Sequence, residues 1–297
     1  MRFLATAAAA LALASGPADA APYEEFFGEG RGYEGNALAF LQRLDYKQGQ
    51  FELEDAGAVI TVPDGYYFLD RADASAVLEE AWGNPPDPTV LGMLFPRSST
   101  PIDREIPWGI AISFEDIGYV SDDDADSTDY DALIRQIEAD ALATNELRKQ
   151  GGYDPVAKVQ WAERPHYERQ PHIVHWAKRI TWGNGGETLN YDVRMLGRHG
   201  VLSMSFIADV EALPVVKTSI PDVLGFASFT PSNTYEDYNS WWDKAAGVGI
   251  AGLVAGKVAS KAGFFALAAI FLKKFWFLLL VPFAYVGKLF RRSKAEN

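Results

Sequence analysis

The densest cluster of potential metal-ligating side chains is an aspartate-rich segment, Asp122–Asp131, near the middle of the chain. Asp122, Asp124 and Asp126 occupy alternate positions, like the first ligands of a calcium loop, in which alternate oxygens wrap a hard cation. Ser127 stands where such a loop has its turn glycine, and the bidentate glutamate is missing. The segment therefore predicts either a calcium or magnesium site or a solvated acidic loop whose carboxylates complement the dipole of the following helix.

The four histidines are His166, His172, His175 and His199. His172 and His175 lie three residues apart in a predicted strand, and such positions face opposite sides of a sheet. The chain has no His-Glu-x-x-His motif of the kind that binds zinc on a helix. We therefore expect no zinc site at this pair.

Two arginines close to an aspartate form the remaining polar cluster. Arg194 and Arg198 follow Asp192 within one predicted hairpin. In an acidic domain this grouping is typical of structural ion pairs. The alternative is that Arg194 and Arg198 bind an anionic ligand, and the sequence leaves both interpretations open.

The short motifs of nucleophilic and nucleotide chemistry are absent from the sequence. It contains no Gly-x-Ser-x-Gly elbow, no Gly-x-x-x-x-Gly-Lys-Ser/Thr loop and no Gly-x-Gly-x-x-Gly after a strand. It also contains no cysteine, which excludes thiolate metal ligands, a cysteine nucleophile and a disulfide scaffold. These absences favour a protein that is not an enzyme and needs no cofactor, unless the aspartates bind calcium or magnesium.

Composition indicates a folded protein with an uneven distribution of charge. The chain has 297 residues, 48% of them hydrophobic, and a net charge of −13. Residues 245–297 carry a net charge of +7, and residues 1–244 carry −20. The hydrophobic content excludes a disordered polymer, and the acidic excess argues against nucleic acid as a partner, because duplex binding depends on Lys and Arg that neutralise phosphates.

The N-terminus, residues 1–20, has the pattern of a secretory signal peptide. Arg2 precedes an apolar run that Pro17 ends, and Ala18 and Ala20 supply the small residues of a cleavage site. We therefore expect cleavage after Ala20 and export of the acidic domain.

Residues 245–297 form a glycine-rich, basic segment with the features of a membrane anchor. A span at about 270–289 has a lysine pair near its start and an arginine pair after its end, and both pairs can reach the headgroups. With an exported N-terminus, the positive-inside rule then puts the C-terminus in the cytoplasm and the domain of residues 21–244 in the periplasm, at the bacterial inner membrane. The alternative is a helical hairpin, 245–272 and 275–290, with both ends on one side.

Two further features concern contacts of this segment. Gly252 and Gly256 have the small-xxx-small spacing that permits close helix–helix contact. Trp241 and Trp242 come just before the segment and are typical of the aromatic belt at a bilayer interface. The expected partners are therefore the lipid bilayer and an unidentified envelope or membrane protein.

Hydrophobic periodicity divides the exported domain into short helices and strands. Helices are predicted at 34–48, before Gly83, at 130–150 with Asp129 as its N-cap, and at 211–224. Strands are predicted at 57–62, 66–69, 90–95, 108–114, 156–162, 172–182, 187–196, 200–208 and 226–229. Strands joined by hairpins, with a long helix inserted, predict an α+β domain with a mainly antiparallel sheet and flanking helices.

At several of these segments the chain resembles a bacterial family of membrane-anchored proteins, domain of unknown function 2167. The residues that carry the resemblance include Val62-Pro63-x-Gly65-Tyr66-x-Phe68-Leu69-Asp70, Trp82-Gly83-Asn84-Pro85-Pro86, Gly118-Tyr119-Val120-x-Asp122-Asp123-Asp124-Ala125, Leu196-Gly197-Arg198 and Asp243-Lys244-Ala245-Ala246. His175 departs from it, because the resemblance leads us to expect tyrosine there. The resemblance implies a membrane-anchored envelope protein and brings no known activity or catalytic residue.

Three functional hypotheses follow from these observations. The first is a non-catalytic envelope protein whose domain binds a partner or acts as a scaffold at the membrane surface. The second is a cation-dependent envelope hydrolase that uses the aspartate-rich segment, Asp122–Asp131. The third is a regulatory membrane subunit that acts through its glycine-rich tail.

Overall fold

The computed structural model describes residues 19–28, 31–84, 86–103, 108–208 and 210–256. Nearly all of the predicted signal peptide and the whole predicted span, 270–289, lie outside these ranges, so both stay predictions, as does the tail hypothesis. Within the described ranges, no helix has the length and apolarity that crossing a bilayer requires.

Within the same ranges the chain forms 13 strands and seven α-helices. The strands are β1 (Asp19–Ala21), β2 (Tyr46–Leu53), β3 (Ala58–Val62), β4 (Tyr66–Asp70), β5 (Val90–Pro96), β6 (Trp108–Glu115), β7 (Tyr119–Ser121), β8 (Val156–Glu168), β9 (Ile173–Trp182), β10 (Glu187–Leu196), β11 (Val201–Ala208), β12 (Ala227–Phe229) and β13 (Ala245–Gly249). The helices are α1 (Tyr23–Phe27), α2 (Gly35–Gln42), α3 (Arg71–Ala76), α4 (Tyr130–Ala143), α5 (Asn145–Gly151), α6 (Leu213–Leu224) and α7 (Ile250–Val254).

Eleven of the strands form one antiparallel sheet. Its order is β12-β3-β2-β4-β5-β6-β11-β10-β9-β8, and β1 also pairs with β2. β7 and β13 form a separate parallel pair. The predicted α+β class with a mainly antiparallel sheet is therefore confirmed.

Side-chain alternation along the strands divides the core between two faces of this sheet. Met93 and Leu94 are neighbours on β5, and both are fully buried, but they belong to different hydrophobic clusters. The cluster that contains Leu94 packs against α6 through Val216, Ile220 and Val223. On the opposite face, α1, α2 and α3 cover β4 and β5, while β7 and α7 cover the region of β9 to β11.

The predicted helices differ from the observed ones at their ends and in their burial. The helix predicted at 34–48 ends at Gln42, because Tyr46 already begins β2. The helix predicted at 130–150 begins after the Asp129 cap as expected, but it is divided into α4 and α5 at Thr144. No described residue of α4 or α5 is fully buried, and Leu147 is 61% exposed.

The folded domain continues beyond residue 244, where we placed its predicted boundary. Ala245–Gly249 is the strand β13, and α7 follows it directly. Ile250, Leu253 and Val254 are buried against the sheet. The apolar composition of these residues therefore serves the core of the domain, and the first helix of the alternative hairpin, 245–272, is not helical at its start.

Candidate functional site

The aspartate-rich segment follows β7, and its carboxylates point towards different partners. Asp122 Oδ2 accepts a hydrogen bond from the Tyr167 hydroxyl at 2.9 Å and lies 3.4 Å from Arg169 Nη1. Asp126 pairs with the same guanidinium through its other nitrogen. Both carboxylates thus face Arg169, whose positive charge opposes a cation at that point. Cation binding by Asp122, Asp124 and Asp126, and the hydrolase built on it, stay predictions.

Asp124 accepts hydrogen bonds from the backbone at the start of α7. Its Oδ1 accepts the backbone N–H of Ile250 at 2.8 Å, and its Oδ2 accepts that of Ala251 at 3.0 Å. The carboxylate therefore caps the first turn of α7 from 126 residues away along the chain. Gly249 permits this approach, because a Cβ at that position would lie 2.5 Å from Asp124 Oδ1.

A hydrogen-bonded chain continues from Asp122 across the end of β9. The Tyr167 hydroxyl also lies 2.9 Å from His172 Nδ1, and His172 Nε2 lies 3.0 Å from Glu236 Oε1. The His172 ring stacks on Tyr235 with the centroids 4.1 Å apart. Burial, reinforced by the Asp122 carboxylate, raises the pKa of Tyr167 above its ordinary value. His172 is thus held in place by its contacts with Tyr235 and Glu236.

Arg194 lies in a polar network on the sheet, and 18% of its side chain is exposed. Its guanidinium pairs with Glu115 at 2.9 Å and with Asp192 at 3.2 Å, and it also donates to Ser203. Lys178 Nζ lies 3.3 Å from the other oxygen of Asp192. These contacts favour structural ion pairing at Arg194, which is one of the two interpretations left open by the sequence.

Arg198 stabilises a turn that contains two exposed indoles. Its Nε and Nη2 donate to the two oxygens of Asp243 at 2.8 and 3.1 Å, and this bidentate contact lowers the pKa of Asp243. Asp243 Oδ2 also accepts the backbone N–H of Asn239 at 2.7 Å. Between these two residues, Trp241 is 89% exposed and Trp242 is 71% exposed. We call residues 239–243 the tryptophan turn.

Arg194 and Arg198 therefore do not converge on one point, since one lies within the sheet and the other holds the tryptophan turn. Both guanidinium groups already have carboxylate partners. Anion binding by this pair stays a prediction.

A different set of residues comes together on the β8–β9 hairpin. His166, Glu168 and His175 each offer one ligand atom, and these atoms lie within 4.8 Å of one another. The expectation of no zinc site concerned His172 and His175 only, and His172 is not one of these three residues. Spacing within one strand could not reveal the group, because His166 reaches His175 through strand pairing. The available signal was His-x-Glu in one strand followed by a histidine in the next.

An open cleft lies between β2, β4 and α3. Its cavity volume is about 650 Å³, and its lining includes Lys47, Asp70, Arg71 and Ser75. Lys47 pairs with Asp70, which also caps α3 through the backbone of Ala72. Lys47, Asp70 and Arg71 thus already have structural partners, since Arg71 pairs with Asp55.

Comparison with known proteins gives a family and no activity. A family model described as "Protein of unknown function (DUF2167)" matches residues 45–284. No curated protein matches the chain. The solution structure of cyanobacterial PsbP (CyanoP) from Synechocystis sp. PCC 6803 is similar at 10% identity with a TM-score of 0.37, covering 61% of this chain and 91% of that chain. The likeness is too weak to support an inference about function. The family match extends over most of the chain, so the chain belongs to the DUF2167 family.

Proposed function

We propose that this member of the DUF2167 family is a non-catalytic binding or scaffold module of the bacterial envelope. In this proposal residues 270–289 anchor it in the inner membrane, and its acidic domain lies in the periplasm. The observation that carries the proposal is the tryptophan turn, which presents two adjacent and largely exposed indoles near the C-terminal end of the described domain.

Exposed indoles offer a partner a large apolar contact, because tryptophan is among the side chains with the most apolar surface. Trp241 N donates to Asn239 Oδ1 at 3.0 Å, and Asp243 N donates to Asn239 O at 2.9 Å, so the turn is hydrogen-bonded within itself. Indole rings favour the headgroup level of a bilayer. The predicted span begins 28 residues after Trp242, so the turn and the start of the span are close in the sequence.

Charge supports a contact restricted to this turn. Residues 1–244 carry a net charge of −20 and are repelled by anionic lipids, whereas residues 245–297 carry +7 and are attracted to them. The domain is therefore expected to stand away from the bilayer and to touch it through the tryptophan turn. Its remaining surface stays available to a partner in the periplasm.

The test is quenching of tryptophan fluorescence in the full chain, reconstituted in vesicles that carry a quencher at headgroup depth. The Trp241→Phe/Trp242→Phe double variant is expected to lose a large part of the quenching shown by the unmodified chain. Trp182→Phe removes a half-buried indole on the β9–β10 hairpin and serves as the matched control. Equal quenching of the chain and the double variant would mean that the turn faces water and would contradict the proposal.

Partner identity requires a second experiment on the same anchored protein. Crosslinking in intact membranes followed by purification of the full chain is expected to recover an envelope protein.

A further inference from the structure

The β8–β9 hairpin places three potential metal ligands on one face of the main sheet, at its edge. His166 on β8 pairs directly with His175 on β9, and Glu168 follows His166 by two residues, so the three side chains share a face. A register shift between Glu163 and His166 precedes the group. Such bulges bend a strand and re-aim its side chains, which explains how His166 and Glu168 both turn towards His175.

The separations within the group fit the coordination of a small ion. His175 Nε2 lies 3.5 Å from Glu168 Oε1. Two ligands that each bind a tetrahedral ion at about 2.1 Å lie about 3.4 Å apart, so this pair already has the required spacing. The rings of His166 and His175 have centroids 5.4 Å apart. His166 is exposed, and its ligand nitrogen lies within 4.8 Å of the ligand atoms of the other two residues.

A buried tyrosine orients the central ligand. The hydroxyl of Tyr191, on the neighbouring strand β10, lies 2.9 Å from His175 Nδ1, and the tyrosine is 2% exposed. This contact directs Nε2 of His175 towards Glu168. Metal-binding histidines in proteins commonly hold their second ring nitrogen in such a hydrogen bond. Burial lowers the pKa of His175, an effect that Glu168 partly opposes.

We propose that His166, Glu168 and His175 form a binding site for a divalent first-row transition-metal ion, with solvent completing the coordination. Two imidazoles and one carboxylate suit Zn²⁺ and its neighbours in the series, whereas Ca²⁺ and Mg²⁺ prefer oxygen ligands alone. Glu168 and His166 lie partly in solvent, which leaves an open position on the ion. The site does not depend on the membrane anchor proposed above.

This site is separate from the aspartate-rich segment. Tyr167, which contacts Asp122, lies between His166 and Glu168 in β8, and its side chain therefore points to the opposite face of the sheet. Substitutions at the two places can thus distinguish zinc bound by the hairpin from a cation bound by the aspartates.

The test uses the purified full chain in detergent, from which a chelator has removed any bound metal. Zinc is then titrated in, and the chain competes for it with a chromophoric zinc indicator. We expect one zinc ion per chain at micromolar free zinc. His175→Asn keeps a hydrogen-bonding group near Tyr191 but lacks Nε2, and it is expected to abolish this binding. Tyr191→Phe should weaken binding by about tenfold or more. His199→Asn removes an exposed histidine outside the group and should leave the affinity unchanged.

Two measurements keep the test decisive if a histidine variant folds poorly. Glu168→Gln changes a partly exposed side chain at constant size and should weaken zinc binding in a protein with an unchanged circular dichroism spectrum. Cobalt added to the unmodified chain should give visible absorption bands of a site with nitrogen ligands. Absence of zinc binding by the unmodified chain, or binding that survives both His166→Asn and Glu168→Gln, would overturn the proposal.

Discussion

The buried carboxylate of Asp192 is the residue at which we expect the largest effect of a single substitution on stability. It is 5% exposed, lies between Lys178 and Arg194, and accepts the Ser205 hydroxyl at 2.8 Å. Removal of one member from a buried ion network leaves the other charges without compensation. Asp192→Asn should therefore lower the free energy of unfolding by about 3 kcal/mol in urea titrations. Asp116→Asn, at an exposed position, is the control and should change it by less than about 0.5 kcal/mol.

The same carboxylate predicts a dependence of stability on pH. Burial alone would raise the pKa of Asp192, but Lys178, Arg194 and the Ser205 hydroxyl outweigh it and hold that pKa below its ordinary value. A carboxyl with a lowered folded-state pKa stabilises the fold above its unfolded pKa of about 3.9, and this contribution is lost as the pH falls through the folded pKa. Urea midpoints of the unmodified protein should therefore fall more steeply in acid than those of Asp192→Asn. If the urea midpoints of the two proteins fell in parallel as the pH is lowered, the pKa of Asp192 would be the same in the folded and unfolded states, and the prediction would be wrong.

At the scale of elements, one carboxylate holds β13 and α7 on the domain. Asp124 accepts two backbone N–H groups of α7, and Asp124→Ala leaves both without that partner. We expect hydrogen exchange of Ala245–Gly249 and α7 to accelerate, while exchange of β9–β11 changes little. The local cost should be about 1 kcal/mol, as for other N-cap substitutions. Asp123→Ala removes a nearby carboxylate that contacts Ser121 and should leave the exchange of α7 unchanged.

A second pair of variants, Asp122→Asn and Asp124→Asn, tests the predicted cation site. If the aspartates bind calcium or magnesium, either ion should raise the melting temperature of the unmodified chain, and Asp122→Asn or Asp124→Asn should reduce that rise. No shift with either ion in the unmodified chain would contradict cation binding there. This outcome would leave zinc binding by the β8–β9 hairpin untouched, because the two sets of ligands lie on opposite faces of the sheet.

Elements that depend on local chemistry could be predicted, whereas those that depend on distant pairing could not. Asp129 caps its helix as expected, because an N-cap involves only the next few residues. The β9–β10 hairpin likewise follows from the glycine-rich turn at 183–186. By contrast, β13 pairs with β7, which lies more than one hundred residues earlier, and its small apolar residues also suit a membrane segment. The group of His166 with His175 depends on bulges in β8, which no local pattern in the sequence marks.

At the scale of the whole molecule, the division of charge predicts the topology. The basic residues directly after the predicted span, among them Arg291 and Arg292, agree with the positive-inside rule if the C-terminus is cytoplasmic and the domain is exported. The chain has no cysteine, so Ser127→Cys and Ala295→Cys each introduce a single thiol. In intact cells, a membrane-impermeant reagent that reaches the periplasm should label position 127, which is exposed, and should label position 295 only after lysis. Labelling of both positions in intact cells would establish the hairpin with both ends outside, and protection of both would place the domain in the cytoplasm and contradict export.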